Sequence, residues 1–402
     1  MSVEIADWND LDNVRDDLDG DYVLVNDLDS ETTGYDTVAG PDANSGDGFE
    51  PIGPLEVASG FSGNFDGQDY EISDLIIDRR DKTGERYTAI FTRVTGATIE
   101  NLRVENVDIK VDSEENTHAV IIGGDDDGFL LQNCSTTGSI LQTGSGERVG
   151  GMVGQIFSAG TIENCVSHVD VTSDADTVGG LVSYNDDTVT ESYATGSVEG
   201  DSYVGGLVGR NHFTVTESYA TGSVEGDSNV GGLVGRNDLT VTESYATGSV
   251  EGDSNVGGLV GRDRVGPNDI SNSYADSETT SQSVAVGNED DDEYANVTTL
   301  TTAEMQGSEA ETNMDGFDFE DVWTSVLESD DDTTADGYPI LLTVDREQQL
   351  DAQGILSLTA FTISALVNSE SVEIQDIFAQ VNDEVREVTE AFALINGSVE
   401  QI

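Results

Sequence analysis

The sequence predicts an all-β parallel β-solenoid (β-helix), and three observations carry that prediction. First, the stretch from Val178 to Tyr274 repeats itself. It reads VGGLVSYNDDTVTESYATGSVEGDSY, VGGLVGRNHFTVTESYATGSVEGDSN, VGGLVGRNDLTVTESYATGSVEGDSN and a fraying VGGLVGRDRVGPNDISNSYA. The lead valines are Val178, Val204, Val230 and Val256, a period of 26 residues. Periods of this order mark stacked units that bury their apolar faces only against their neighbours. Second, the unit holds no stretch apolar at helical spacing. It has a short run (VGGLV), a polar turn and a segment alternating in twos, TVTESYATGSV. At about 3.3 Å per strand residue this is enough for two or three short strands and their turns. Third, the paired glycines (Gly179-Gly180, Gly205-Gly206, Gly231-Gly232, Gly257-Gly258) fit corners where the backbone needs positive φ or close approach.

Coils stacked in register about 4.8 Å apart place identical residues in columns: Tyr193, Tyr219 and Tyr245; Asn185, Asn211 and Asn237; Leu181, Leu207, Leu233 and Leu259. About seven or eight coils of 26–31 residues are expected. Those from Phe61 to Val178 are degenerate, with TAIF (from Thr88), AVIIGG (from Ala119) and VGGMVG (from Val149) in the VGGLVG place.

In chain order, residues 1–60 read as an N-terminal cap and loop, 61–276 as the solenoid, 277–349 as a C-terminal cap and 350–402 as a further segment. In the first, Asp7 is an N-cap for a short helix with Trp8, Leu11, Val14 and Leu18 on one face, stopped at Gly20. The strand expected from Tyr22 to Leu28 would cover the solenoid's open edge. In the C-terminal cap, LTTAEM opens a short helix ahead of Trp323.

The final segment is patterned differently. Ile374, Phe378, Val381, Val385, Val388, Phe392, Ile395, Val399 and Ile402 follow a 4-3 spacing, which predicts a helix with a coiled-coil seam. β-Branched residues at every d position favour a trimer or higher homo-oligomer. The alternative is an amphipathic helix packed on its own solenoid or on another protein, and Asn396-Gly397 would loosen or end such a helix.

Charge is the loudest feature of the composition: 81 acidic against 15 basic residues, a net charge of -66. Lys82 and Lys110 are the only lysines. An acidic, lysine-poor surface matches proteins of multimolar-salt environments, so a haloarchaeal or similar origin is expected. Stacking predicts columns of like charge at Glu191/Glu217/Glu243, Glu199/Glu225/Glu251 and Asp201/Asp227/Asp253. Each adjacent pair costs on the order of 1 kcal/mol in unscreened water, and molar salt screens most of it. No basic stretch is present to meet phosphates, so no nucleic-acid partner is expected.

VGGLVGRN followed by TVTESYATGSV resembles the GLUG-motif repeat of bacterial and archaeal surface and adhesin-like proteins, including regions of some secreted IgA-cleaving metallopeptidases. FSGNFDGQDYEISDLIIDR (Phe61 to Arg79) is similar to the stretch that opens such regions. LTTAEMQGSEAETNMDGFDFEDVWTSV, with DGYPILL after it, resembles what closes them. The resemblance covers roughly residues 1–345. It implies a display scaffold and carries little about activity, since such repeats serve proteins of many functions.

Chemistry is sparse. His118, His168 and His212 sit on different coils, and there is no HExxH, GxSxG, P-loop or CxxC. Cys134 and Cys165 fall at the place of Leu102 and of the Tyr193 column, and read as buried thiols rather than a rung-to-rung disulfide. Asp125-Asp126-Asp127 and Asp290-Asp291-Asp292 match no calcium loop and read as solvated. Sequons stand at Asn133, Asn296 and Asn396, with Asn133 expected to be buried beside Cys134. No catalytic or metal site and no cofactor is expected. His212, Phe213, Asp238 and Leu239, where the repeats vary, are the expected binding loops.

The N-terminus shows neither a basic n-region nor an apolar h-region, and no apolar run is long enough to insert in a membrane. These features predict a non-enzymatic structural or adhesion protein on a haloarchaeal virus particle (tail fibre, spike or capsid decoration). Its expected partners are other virion proteins and a host surface protein or glycan. The alternatives are a haloarchaeal cell-surface adhesin, or a mature or trimmed form of one, and a glycan-cleaving β-helix enzyme.

Overall fold

In the computed structural model the described residues are 2–53, 60–80, 82, 86–112, 117–125, 127–144, 146–264, 266, 269–288, 294–330, 333, 335–344, 349–350, 353, 355 and four strands between 378 and 401. The chain divides into two compact units, Met1–Thr302 with Met314–Phe317, and Ala303–Asn313 with Asp318–Ile402.

The first unit is the solenoid. One side is a seven-stranded, all-parallel sheet whose strands include Phe91–Val94, Ile122–Asp125, Val153–Ile156, Val182–Asn185, Val208–Asn211, Val234–Asn237 and Val260–Asp263. The other strands of each coil join one continuous parallel sheet. Stacking follows the sequence period: Val182 pairs with Val208, Val208 with Val234 and Val234 with Val260.

The expected columns form. Tyr193, Tyr219 and Tyr245 stack face to face with centroids 4.6 and 4.9 Å apart and planes within 5°. All three rings are buried, and each such pair adds about 0.5–1.5 kcal/mol beyond its area. Leu181, Leu207, Leu233 and Leu259 are fully buried, and each of the first three N–H groups donates to the carbonyl of the next leucine at 2.9 Å. The glycine corners resolve in favour of close approach. None of the eight paired glycines has positive φ. A Cβ on Gly180 would stand 2.1 Å from the Gly206 carbonyl oxygen of the next coil, so any side chain there would force the coils apart.

Positive φ appears elsewhere. Asn101, Asn133, Asn164 and Asn272 occupy one place in the degenerate coils with φ between 47° and 55°, and in the identical repeats between Asn164 and Asn272 that place is taken by Glu191, Glu217 and Glu243 at 45–51°. Asparagine tolerates this region because its short amide bonds locally, whereas glutamate bears the steric cost. The asparagines form a surface ladder: Asn164 donates to Asn133 (2.7 Å), Asn133 to Asn101 (3.1 Å) and Asn101 to Asp66 (3.0 Å). Asn133 is therefore exposed, not buried beside Cys134.

The cysteine column is displaced by one residue from expectation. Cys134 does lie in register with Leu102, but Val166 is the residue that pairs with Tyr193, so Cys165 stacks on Ser192. The Ser192 hydroxyl accepts from the Cys165 N–H at 3.0 Å, and Ser218, Ser244 and Ser273 continue the same pattern. Both thiols are free and buried, and burial pushes the Cys134 thiol well up.

The stack extends beyond 61–276 at both ends. Tyr22–Leu24 lies parallel between Val3–Ile5 and Asn64–Asp66, so the opening segment adds its own strands to the first coil. Asp7 caps the helix Trp8–Asp12 by accepting from the Asn9 and Asp10 N–H groups. A 3₁₀ turn continues to Asp16, where the helical run stops, four residues before Gly20. Trp8, Leu11 and Val14 are fully buried. At the other end Ala295–Leu300 pairs with Ile270–Asp276, and Phe317 packs on Tyr274 at 5.8 Å.

In the second unit the helix Gly307–Asn313 accompanies an antiparallel pair, Trp323–Val326 with Gly337–Leu341. Val326, Ile340 and Leu350 form its buried core. The expected C-terminal helix is not what the described residues form. Phe378–Val381 pairs antiparallel with Glu384–Glu387, and Phe392–Ile395 with Ser398–Gln401. Phe378, Val381, Val385, Phe392, Ile395 and Val399 of the seam thus lie in strands, while Ile374, Val388 and Ile402 lie outside the described residues. β-Branched and aromatic residues favour strands, and an Asn-Gly dipeptide between two such runs is the strongest short-range hairpin signal.

Candidate functional site

The candidate site is built on the strand that ends each VGRN run. Arg210, Arg236 and Arg262 are register neighbours, and Tyr184 holds the same place one coil earlier. The next residue in each strand forms a buried amide ladder. Asn185 donates to Asn211 (2.8 Å), Asn211 to Asn237 (2.9 Å) and Asn237 to the Asp263 carboxylate (3.2 Å). Each amide also donates to a carbonyl two residues on (Asp187, Phe213 and Leu239), so the ladder fixes the turns holding His212-Phe213 and Asp238-Leu239. A directional chain of amides needs a pure acceptor at its end, and Asp263 supplies it.

Above this ladder, guanidinium groups and rings alternate across four coils. Arg148 lies 6.0 Å from the Phe157 ring centroid and 5.1 Å from that of Tyr184. Arg210 lies 5.6 Å from Tyr184 and 5.9 Å from Tyr203, and Arg236 lies 5.6 Å from Tyr203. Each such contact is worth about 0.5–1 kcal/mol at an exposed site.

The row ends on Asp238, whose carboxylate is shared. Arg236 reaches it at 2.9 Å, Arg210 at 3.3 Å and Arg264 at 3.9 Å. His212 Nε2 lies 2.8 Å from the same group, in a close approach that is not an aligned hydrogen bond, and its Nδ1 meets the Tyr184 hydroxyl at 3.2 Å. Burial, and then Arg210, hold His212 below its usual range despite Asp238 and Asp186. One carboxylate thus faces three guanidiniums, and the region is locally cation-rich in a chain of net charge -66. Phe157 and Phe213 leave 44% and 45% of their surface open beside it.

The expected binding loops therefore separate by role. Phe213 is exposed, Leu239 is half-buried, and His212 and Asp238 are tied into the arginine cluster. Reading loop variability missed Arg148, Phe157, Tyr184, Tyr203, Arg210 and Arg236. A signal was present: arginines recur at the 26-residue period in a chain with only 15 basic residues.

The same coils carry a second surface, a groove of about 610 Å³ lined by Asp174, Glu199, Asp201, Glu225, Asp227, Glu251 and Asp253. Burial, then Asp227 and Asp174, raise the Asp201 pKa. Among the described residues no group of three or more His, Cys, Asp or Glu side chains is placed to hold a metal ion. Asp125 is buried and accepts from the N–H groups of Gly128, Phe157 and Ser158, so it braces a turn rather than being solvated. Asp126 and residues 290–292 lie outside the described residues. His118 and His168 are pushed down to about 3 and about 4 by burial. No helix among the described residues is long and apolar enough to cross a membrane.

Residues 200–225 and 226–251 match the model of the GLUG motif. Over 156 residues, 39% of the chain, the sequence is 33% identical to halomucin of Haloquadratum walsbyi, of whose length it spans 2%. The fold is similar to the crystal structure of a Bacteroides ovatus protein named as a candidate immunoglobulin A1 protease. That likeness has a TM-score of 0.50 and 19% identity, and covers 86% of this chain and 93% of the other. At that identity it bears on fold alone. The chain thus carries GLUG motifs within a stacked parallel β-solenoid.

Proposed function

We propose that this chain is a non-enzymatic part of a haloarchaeal cell surface, an acidic β-solenoid that presents its faces to the outside medium. The observation that carries the reading is the 33% identity over 156 residues to halomucin, a protein whose name is that of a mucin. The stacked carboxylate columns support it, because such a surface is suited to a molar-salt medium. The GLUG matches and the halomucin likeness support the cell-surface alternative over the virion-surface reading. Against an enzyme stands the groove itself: its carboxylates recur at one-rung steps of about 4.8 Å, so no pair is singled out as acid and nucleophile.

The test is surface labelling of intact cells of the source organism with a membrane-impermeant biotin reagent in molar salt, with purified virus particles probed in parallel. The protein is expected among the labelled cell-surface fraction. Recovery only from virus particles would return the reading to a virion component, and recovery only from the unlabelled interior would overturn both.

A further inference from the structure

We propose that the arginine–aromatic row is a binding site for a linear anionic polysaccharide, one bearing carboxylate or sulfate groups, laid along the stacking direction. The inference deepens the cell-surface reading by naming the class of partner. Phe157, Arg148, Tyr184, Arg210, Tyr203 and Arg236 alternate ring and cation over four successive coils, a run of roughly 15 Å at the rung spacing of a parallel sheet. Arg148 is matched by Glu147 at 2.6 Å and Arg236 is buried, so the charge left incompletely neutralised is that of Arg210, Arg262 and Arg264. Asp238 is the shared partner of Arg210, Arg236 and Arg264, and Arg262, exposed, has no ion pair among the described residues.

The physical setting narrows the ligand. In molar salt the Debye length is about 3 Å or less, so long-range attraction is lost and only groups in contact contribute. Guanidinium groups retain paired, bidentate hydrogen bonds to carboxylate or sulfate at that range. Exposed rings such as Phe157 and Phe213, open over nearly half their surface, offer apolar area to the C–H faces of a sugar. A folded protein partner needs a broad patch of about 800 Å² per side with an apolar centre, whereas this row offers a narrow line of alternating contacts. A linear polymer of rigid, charged, apolar-faced units fits it.

The full chain would be passed, in about 3 M KCl, over immobilised polygalacturonate, a sulfated galactan, neutral dextran and poly-glutamate. Retention by one or both anionic polysaccharides and not by dextran is expected, and which of the two binds tells carboxylate from sulfate. Arg264 and Phe213 are 62% and 45% exposed, so the double variant R264Q/F213A should keep its circular dichroism and thermal midpoint. It should lose affinity by about tenfold or more, while E225Q on the acidic groove binds as the parent does. Retention on dextran equal to that on the anionic polymers, or equal retention of parent and R264Q/F213A, overturns the proposal. Tighter binding to poly-glutamate than to either polysaccharide overturns it in favour of an acidic protein partner. Because these measurements use isolated protein, their failure leaves the surface-labelling result standing, and failure of the labelling leaves the binding result standing.

Discussion

The acidic groove and the arginine face lie on the same coils and obey one stacking rule, yet their electrostatics are opposite. In the groove Glu199, Glu225 and Glu251 pair in register, with Asp201, Asp227 and Asp253 beside them, and every charged residue of the lining is a carboxylate. On the other face Arg210 and Arg236 are also register neighbours, but Tyr184, Tyr203 and Asp238 interleave with them. Stacking multiplies whatever charge one repeat carries. A column of like charges then persists either because solvent ions screen it or because a neighbouring column supplies the complement. The groove relies on the first, the arginine face on the second.

Withdrawing salt should break the comparison most visibly. Four adjacent like-charge pairs in the groove, at on the order of 1 kcal/mol each in unscreened water, approach the lower end of a domain's whole stability, about 5 kcal/mol. Dilution from about 3 M to about 0.1 M KCl lengthens the Debye length to about 10 Å, and the solenoid should unfold. Circular dichroism against salt concentration measures this, and a thermal midpoint indifferent to salt would contradict the screening account.

Acid titration separates the core from the groove. His118 is fully buried with its pKa lowered to about 3. A lowered folded pKa means the unfolded chain binds the proton first. The His118 contribution is therefore complete above about pH 6.5 and is lost as pH falls toward 3, at about 1.4 kcal/mol per unit. Asp201, whose pKa is raised, acts in the reverse sense: its folded form holds the proton better, so acidification favours folding through it. In molar salt, where the groove is quiet, His118 and His168, held down to about 3 and about 4, should each lower stability between pH 6.5 and 4 by roughly 3 kcal/mol. A His118→Leu variant should roughly halve that slope, and an unchanged slope in denaturant melts would remove His118 as a cause.

Single charge deletions sharpen the contrast further. Glu225→Gln removes two like-charge neighbours and should raise stability by about 1–2 kcal/mol in dilute salt and by almost nothing in molar salt. Arg210→Gln removes two ring contacts and an ion pair and should lower stability by about 1 kcal/mol in both. Equal salt dependence for the two variants would mean the faces do not differ as described. The smallest effect belongs to Glu217→Asn. It relieves a left-handed glutamate at φ 48° in the place where the degenerate coils use asparagine. A gain of about 0.5–1 kcal/mol is expected from denaturant midpoints in molar salt, where the Glu191/Glu217/Glu243 column is screened.

Much of the fold was legible because a strict period leaves few ways to bury the same apolar face again and again. The tyrosine, leucine, asparagine and glutamate columns all follow from counting 26 residues. Legibility fell where the repeat degenerates: without the SYATG string to anchor it, the Cys165 rung was read one residue late, and a one-residue slip in a strand changes the face. At the C-terminus, apolar spacing alone favoured a helix. Asn396-Gly397 and the β-branched seam carried the opposite signal, and the described strands follow that one. For the candidate site, loop variability points to the turns around Phe213 and Leu239. The arginine row is not visible that way, because it joins residues from two different strands of each coil.

By itself, then, the sequence determined the stacking and the columns of the identical repeats, since identical residues one period apart must meet along a parallel ladder. Only the tertiary structure decided which columns meet each other across a corner. Tyr203 and Arg210 belong to neighbouring strands of one coil, and the close glycine turn between them brings ring and guanidinium to 5.9 Å. That juxtaposition depends on the angle of a corner, which is set by how tightly adjacent backbones can approach.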